Sequence, residues 1–330
     1  MTALPITIAT GNYDRVKPLI DGQVKVEGCD VNYLVMSIEE SGHRAFASHE
    51  FDVTELSSSI YMVGRSRGLD DYIAIPVFPS RSFRHSAIYI RDDRGIASPG
   101  DLRGKKVGVP VYSMTAALWV RGMLQTEYGV SPSQIEWFTG GLEQPGREEP
   151  IPLQLPGDIR LTVIGNDQSL SALLEAGAID ALVTARAPSC FDRRAPHVKR
   201  LFQNYQAAEK DYYRKTHLFP IMHLVAVRKE LAAAYPWLPS SLFKAFSQAK
   251  QLCIAELLDW TAAKVSAPWV LAGLEETVAL MGPDYWRYGF RENLPELQVM
   301  TKWSFEQGLS ARQLTPEELF HPATLDQPKV

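Results

Sequence analysis

The sequence predicts an α/β protein folded as two lobes with a ligand cleft between them. Three observations carry this. Short apolar runs rich in β-branched residues alternate with helix-patterned stretches, the pattern of a mostly parallel sheet covered on both faces. The alternation is broken once, by a polar, turn-rich segment from Arg91 to Lys106, and then resumes. A late apolar run, Leu218 to Val227, carries the chain back to the first unit. At 330 residues the chain is long for one core and sufficient for two.

The elements follow in order. Ile6 to Ala9 is a first buried strand that ends at the turn residues Thr10-Gly11-Asn12. Tyr13 to Ile20 is weakly helical, Val31 to Val35 a strand, Ile38 to Ala47 a helix, and Phe51 to Leu56 a third strand. Ser57-Ser58-Ser59 then leads into a helix from Ile60, and Tyr72 to Phe78 and Ser86 to Ile90 read as strands. The second unit spans about 88 to 215. It holds strands at Val107–Val109, Ile135–Phe138, Ile159–Ile164 and Ile179–Val183, and helices at Met114–Tyr128 and Leu170–Glu175. Gly129 stops the longer helix. Residues 140–157, rich in Gly, Pro and Glu, form a long loop. Beyond Leu231 the chain reads as helical, with breaks at Pro236, Pro239, Pro268 and Pro283.

Composition narrows the function. An apolar fraction of 45%, a charged fraction of 22% and a net charge of −4 are ordinary, and give no reason to expect nucleic acid or an anionic membrane as partner. An anionic ligand therefore needs a local basic patch. Cys29, Cys190 and Cys253 are far apart and odd in number, so neither a disulfide framework nor a zinc site is expected. The segment Met1 to Gly11 has no basic region and only a short apolar run, unlike a signal peptide, and no stretch reaches the ~20 apolar residues of a membrane span. A cytoplasmic location is the expectation. There is no GxGxxG, P-loop, GxSxG or HExxH motif.

Ligands in open α/β sheets bind beyond the carboxyl ends of strands, and crevices between lobes are preferred pockets. Four strand ends qualify. The first offers Asn12 and Tyr13, although a plain turn explains them equally. The second, Glu55-Leu56-Ser57-Ser58-Ser59, sets a carboxylate and three hydroxyls at a helix start, suited to an anion or to simple capping. The third, Phe78 to His85 (FPSRSFRH), holds Arg81, Arg84 and His85; arginine's planar fork suits a carboxylate. If extended, Arg81, Phe83 and His85 share one face, and Arg84 takes the other. The fourth brings Tyr112, Ser113 and Thr115 to a strand–helix junction. Arg186 follows the strand Ile179–Val183, and His217 and His223 flank the returning strand; their spacing makes no metal motif.

Together the runs FDVTELSSSIYM, IPVFPSRSFRHSAIYI, DLRGKKVGVPVYSMTAALWVRGML, WFTGGLEQPGREE, IDALVTARAP and FPIMHLVAVR resemble the 4,5-dihydroxyphthalate decarboxylase family, in collinear order from Ile6 to Pro295. FPSRSFRH and WFTGGLEQPGREE are the most specific; DLRGKKVGV is similar to many type II periplasmic-binding-protein-like chains. The resemblance implies a type II periplasmic-binding-protein-like clamshell, with one lobe from 1–87 plus 217–330 and the other from 88–216. It also implies decarboxylation of a dihydroxylated phthalate to protocatechuate with no cofactor and no metal. The partner is a small aromatic carboxylate; a homo-oligomer is left open.

On chemistry and position, Arg81 and Arg84, with Arg186 opposite, are assigned to a carboxylate clamp. The acid is His85 or His223, and Glu55 poises a ring hydroxyl. Asn12, Ser57, Ser58, Tyr112, Ser113 and Thr115 orient the substrate. Trp119 packs near the ring or in the core. The pair Arg81–His85 is the sharper assignment, unless a turn or bulge interrupts the segment. Two other classes share this fold: a solute-binding protein delivering an aromatic or other carboxylate to a transporter, and a ligand-sensing regulator domain, for which no helix-turn-helix region is seen.

Overall fold

The computed structural model describes residues 2–259, 261 and 263–327. One sheet is built from β1 (Leu4–Thr10), β2 (Cys29–Val35), β3 (Val53–Ser57) and β4 (Tyr72–Arg81). The chain then crosses to a second sheet of β5 (Ile88–Arg91), β6 (Lys106–Val109), β7 (Glu136–Thr139), β8 (Arg160–Val163), β9 (Ala181–Val183) and β10 (Val198–Arg200). It returns with β11 (Ile221–Arg228), which inserts into the first sheet. The strand orders are β2-β1-β3-β11-β4 and β10-β5-β9-β6-β7-β8.

Both sheets are mostly parallel, each with one strand reversed. β11 runs antiparallel to β3 and β4, and β5 antiparallel to β9 and β10. The cause is the double crossing. β4 leaves the first sheet and β11 re-enters it from the same end, between β3 and β4, so β11 and β4 must run in opposite directions. The crossings lie side by side, with the Ser82 N–H donating to the Pro220 carbonyl at 3.1 Å. The pairing of β11 with β4 shifts register on both sides of His223. Such irregularities re-aim side chains and are common beside active sites.

Among the described residues, the larger of two apolar clusters links the two sheets through the helix Thr115–Tyr128 and the C-terminal helix Leu294–Glu306. Trp119 and Trp303 meet edge to face at 5.3 Å, and the Trp119 indole N–H donates to the Ile221 carbonyl at 2.9 Å. Trp119 is thus core. Gly122 lets this contact form: a Cβ there would lie 2.1 Å from the Trp303 ring.

Most expected elements are present with shifted ends, and three segments differ in kind. β10 and the helices Ser189–Asp192 and Tyr205–Thr216 carry no apolar periodicity, and the sequence does not announce them. Asn204 caps the last of these, its side chain accepting the Ala207 N–H. Pro239 does not break a helix. It sits in the first turn of Leu238–Leu258, where a missing N–H costs nothing. All three cysteines are free thiols.

Candidate active site

A cavity of about 700 Å³ opens between the sheets. Its first wall is the helix Ile38–Ser48, which presents Glu39 and His43, with Ser57 at the end of β3 and His223 on β11. The second wall is Thr115, the loop Arg147–Pro150, and Arg186 after β9. Arg84, in the first crossing, joins them.

Glu55 is fully buried on β3, and β11 beside it positions His223 opposite Ser57. Glu55 Oε1 meets His223 Nδ1 at 2.6 Å and accepts the Tyr13 hydroxyl at 2.7 Å; its Oε2 accepts the Gly11 N–H at 2.8 Å. Burial opposes ionisation of Glu55, but the hydrogen bond and charge of His223, with the Gly11 and Tyr13 donors, outweigh it and hold the carboxyl below its usual range. An ionised carboxylate only accepts, so Nδ1 carries the proton facing Glu55. Nε2 is left without a partner among the described residues, on a ring that lines the cavity and is 18% exposed. Glu55 orients an imidazole; sealed behind His223 and Tyr13, it does not reach a ring hydroxyl as the sequence reading expected. Gly11 is needed here, since a Cβ would press the Tyr13 ring at 2.8 Å.

Arg84 supplies positive charge. Its Nε contacts Met222 Sδ at 3.0 Å, and no carboxylate lies within ion-pair distance among the described residues. Burial pulls its guanidinium down to about 10, partly offset by Glu209, so it stays charged at neutral pH. Thr115 joins the starts of two helices: its Oγ1 lies 2.9 Å from Ser57 Oγ and accepts the Ser59 N–H at 3.0 Å. Both positive helix ends thus converge on the cavity, a favourable setting for an anion. Arg186 reaches across the cleft to Glu39 at 2.8 Å.

Several expected contacts are elsewhere. β4 ends at Arg81, and His85 begins a 3-10 turn, so strand alternation does not relate the two. Arg81 is buried beneath the crossings, donating to the carbonyls of Phe219 at 2.7 Å and Arg287 at 2.9 Å and to Asn293, with Glu296 at 3.7 Å. It staples the C-terminal segment and does not line the cavity. His85 is wedged between Phe202 and Tyr212 with both ring nitrogens unpartnered, and burial lowers its pKa to about 4. A histidine that is neutral at pH 7 and outside the cavity holds no proton to give. Asn12 is exposed, while its neighbours Gly11 and Tyr13 serve Glu55. Ser58 is buried in its helix, outside the cavity lining. The Tyr112 ring is buried under Arg121, and both Ser113 donors are taken by Glu149.

Sequence reasoning missed His43 and Arg147. His43 shares a face with Glu39, Gly42, Phe46 and Ala47, a helical spacing that was legible, though mixed in polarity. Arg147 sits in the Gly/Pro/Glu-rich loop, whose length alone marks it as functional. Among the described residues, the grouping with metal-binding spacing, Asp92, Asp93 and His197, is exposed and outside the cavity.

Residues 2–187 match a family described as the periplasmic substrate-binding protein of a phosphonate ABC transporter. The fold is similar to the periplasmic aliphatic sulphonate binding protein SsuA of Escherichia coli (TM-score 0.56, 12% identity, 100% of this chain and 96% of that one). It is equally similar to a putative sulfonate-binding protein of Methylobacillus flagellatus (TM-score 0.56, 13% identity, 98% and 92%). The expected cytoplasmic location is contradicted by the family match, whose model is described as a periplasmic substrate-binding protein. In sequence, the chain is 45% identical over 214 residues to a 4,5-dihydroxyphthalate decarboxylase of Pseudomonas putida, covering 65% of this chain and 83% of that protein. It is 47% identical to that of Comamonas testosteroni over 330 residues, the whole of both chains. On that full-length identity, the chain belongs to the 4,5-dihydroxyphthalate decarboxylase family.

Proposed function

We infer that the chain is a carboxy-lyase that removes one carboxylate, as CO₂, from a hydroxylated aromatic dicarboxylate, with 4,5-dihydroxyphthalate as substrate and protocatechuate as product. The observation that carries this is the full-length identity to a named decarboxylase, joined to a cavity where a buried carboxylate orients a histidine and where Arg84 has no carboxylate within ion-pair distance among the described residues. The cleft lies between lobes formed by 1–87 plus 217–330 and by 88–216.

The chemistry asks for little. A hydroxyl para to the reacting carbon pushes electron density into the ring. A general acid protonates that carbon; the carbon–carboxylate bond then breaks, its electrons restore aromaticity and CO₂ departs. One proton enters and one CO₂ leaves. His223 is the proposed acid: Glu55 holds its Nδ1, and its ring lines the cavity. Arg84 and the paired helix starts at Ser57 and Thr115 hold carboxylate, pre-set to oppose its charge. Arg186, held by Glu39, closes the cleft edge.

The test is to incubate purified protein with 4,5-dihydroxyphthalate and follow CO₂ and protocatechuate. Stoichiometric release of both is expected. The matched binding-protein family supports a second reading, solute binding; that reading predicts tight binding with no CO₂, and such a result from folded protein would sink the enzyme.

A further inference from the structure

At the end of β6 the chain binds one of its own carboxylates. Glu149, on the loop 140–157, accepts the Tyr112 N–H, the Ser113 N–H at 3.2 Å and the Ser113 hydroxyl at 2.6 Å. Beneath this turn lies Arg121, 1% exposed. Its Nη2 donates to the Tyr112 carbonyl at 2.8 Å, its Nε to Gln307 at 2.8 Å, and its Nη1 has no partner. The guanidinium stacks 3.8 Å from the Tyr112 ring centroid, and no carboxylate lies within ion-pair distance among the described residues. Burial lowers its pKa, offset in part by Tyr112 and then by Glu149. A buried arginine without an ion-pair partner is costly, and an anion held at the turn offsets part of that cost.

Glu149 is half-buried and belongs to a loop whose neighbours Arg147, Glu148 and Pro150 also line the cavity. Exchanging its carboxylate for a ligand's preserves all three donors and the charge balance over Arg121. Exchanging it for a neutral group loses the charge balance.

We propose that the Tyr112–Ser113 turn over Arg121 is a carboxylate subsite of the cavity, and that Glu149 is its resting occupant, displaced when a dicarboxylate enters. This rests on reading the chain as a dicarboxylate decarboxylase. It gives the site a means of selection: a ligand with a second carboxylate replaces Glu149 without leaving the turn empty, and a monocarboxylate does not. It also gives a means of release. The product has lost one of its two carboxylates, and Glu149 returns to compete with it.

The probes are phthalate, which has both carboxylates and no ring hydroxyl, and benzoate, titrated calorimetrically into wild type and Glu149→Gln. The glutamine keeps the shape and weakens the plug. Phthalate should bind the variant about tenfold more tightly, the worth of one charge-assisted hydrogen bond, with benzoate unchanged. Adding Ser113→Ala to that variant should reverse the gain. Equal or weaker phthalate binding by folded Glu149→Gln would make Glu149 a permanent part of the wall and overturn the proposal. Should the variant not fold, the wild type decides. Phthalate, and not benzoate, should speed tryptic cleavage after Arg147 as the loop detaches; unchanged or slower cleavage contradicts it. Neither readout needs turnover, so absence of CO₂ with these results intact would fault the assigned reaction and leave the subsite standing.

Discussion

Arg81 and His85 show what a one-dimensional pattern conceals at the scale of single residues. Both are polar and follow a strand, which is why they read as site residues. Yet Arg81 spends its donors on the backbone of the returning and C-terminal segments. Arg81→Met should therefore cost about 3 kcal/mol or more in stability, as loss of one partner of a buried charge pair does, with phthalate affinity unchanged; urea unfolding and titration measure the two. His85 gives a pH signature. Its folded pKa, about 4, lies below the unfolded value, so between pH 6.5 and 4 the unfolded chain binds the extra proton and stability falls as pH falls. The shift corresponds to about 3 kcal/mol. His85→Phe, packed between Phe202 and Tyr212 with no nitrogen to satisfy, should remove this component; identical pH–stability curves for the two proteins would show that it is absent. The basic cluster FPSRSFRH was visible in sequence, but its division into staple, cavity cation and buried ring was not. That division depends on where β4 ends.

At the scale of elements, strands and amphipathic helices were legible because their periodicity reports burial. The helix Tyr205–Thr216 was not, because only Tyr212 and Tyr213 on it are buried. The register shift around His223 was equally silent: nothing in FPIMHLVAVR marks it, since it arises from pairing with β4. The contact of Thr115–Tyr128 with Leu294–Glu306 yields a prediction with a definite sign. In an exposed helix Gly→Ala stabilises by about 1 kcal/mol. At Gly122 the new methyl meets Trp303 at 2.1 Å, and overpacking of this kind costs about 1–3 kcal/mol. Gly122→Ala should lower the melting temperature; a rise would mean the two helices part easily.

For the whole molecule, two lobes and a cleft could be read from the alternation of elements and the late apolar return, and three of the four strand ends contribute a residue to the cavity lining, Ser57, Arg84 and Thr115. The dyad could not be read as a dyad. Glu55 and His223 are 168 positions apart, and become neighbours only because β11 inserts beside β3 from the far side of the second lobe. The proposed chemistry therefore depends on that pair. Its most direct test is steady-state and single-turnover decarboxylation of 4,5-dihydroxyphthalate by wild type and His223→Gln, with phthalate affinity measured on both. We expect kcat to fall by about 10²–10⁴, the usual worth of a positioned general acid, with phthalate affinity nearly unchanged. Turnover by His223→Gln at the wild-type rate would contradict it.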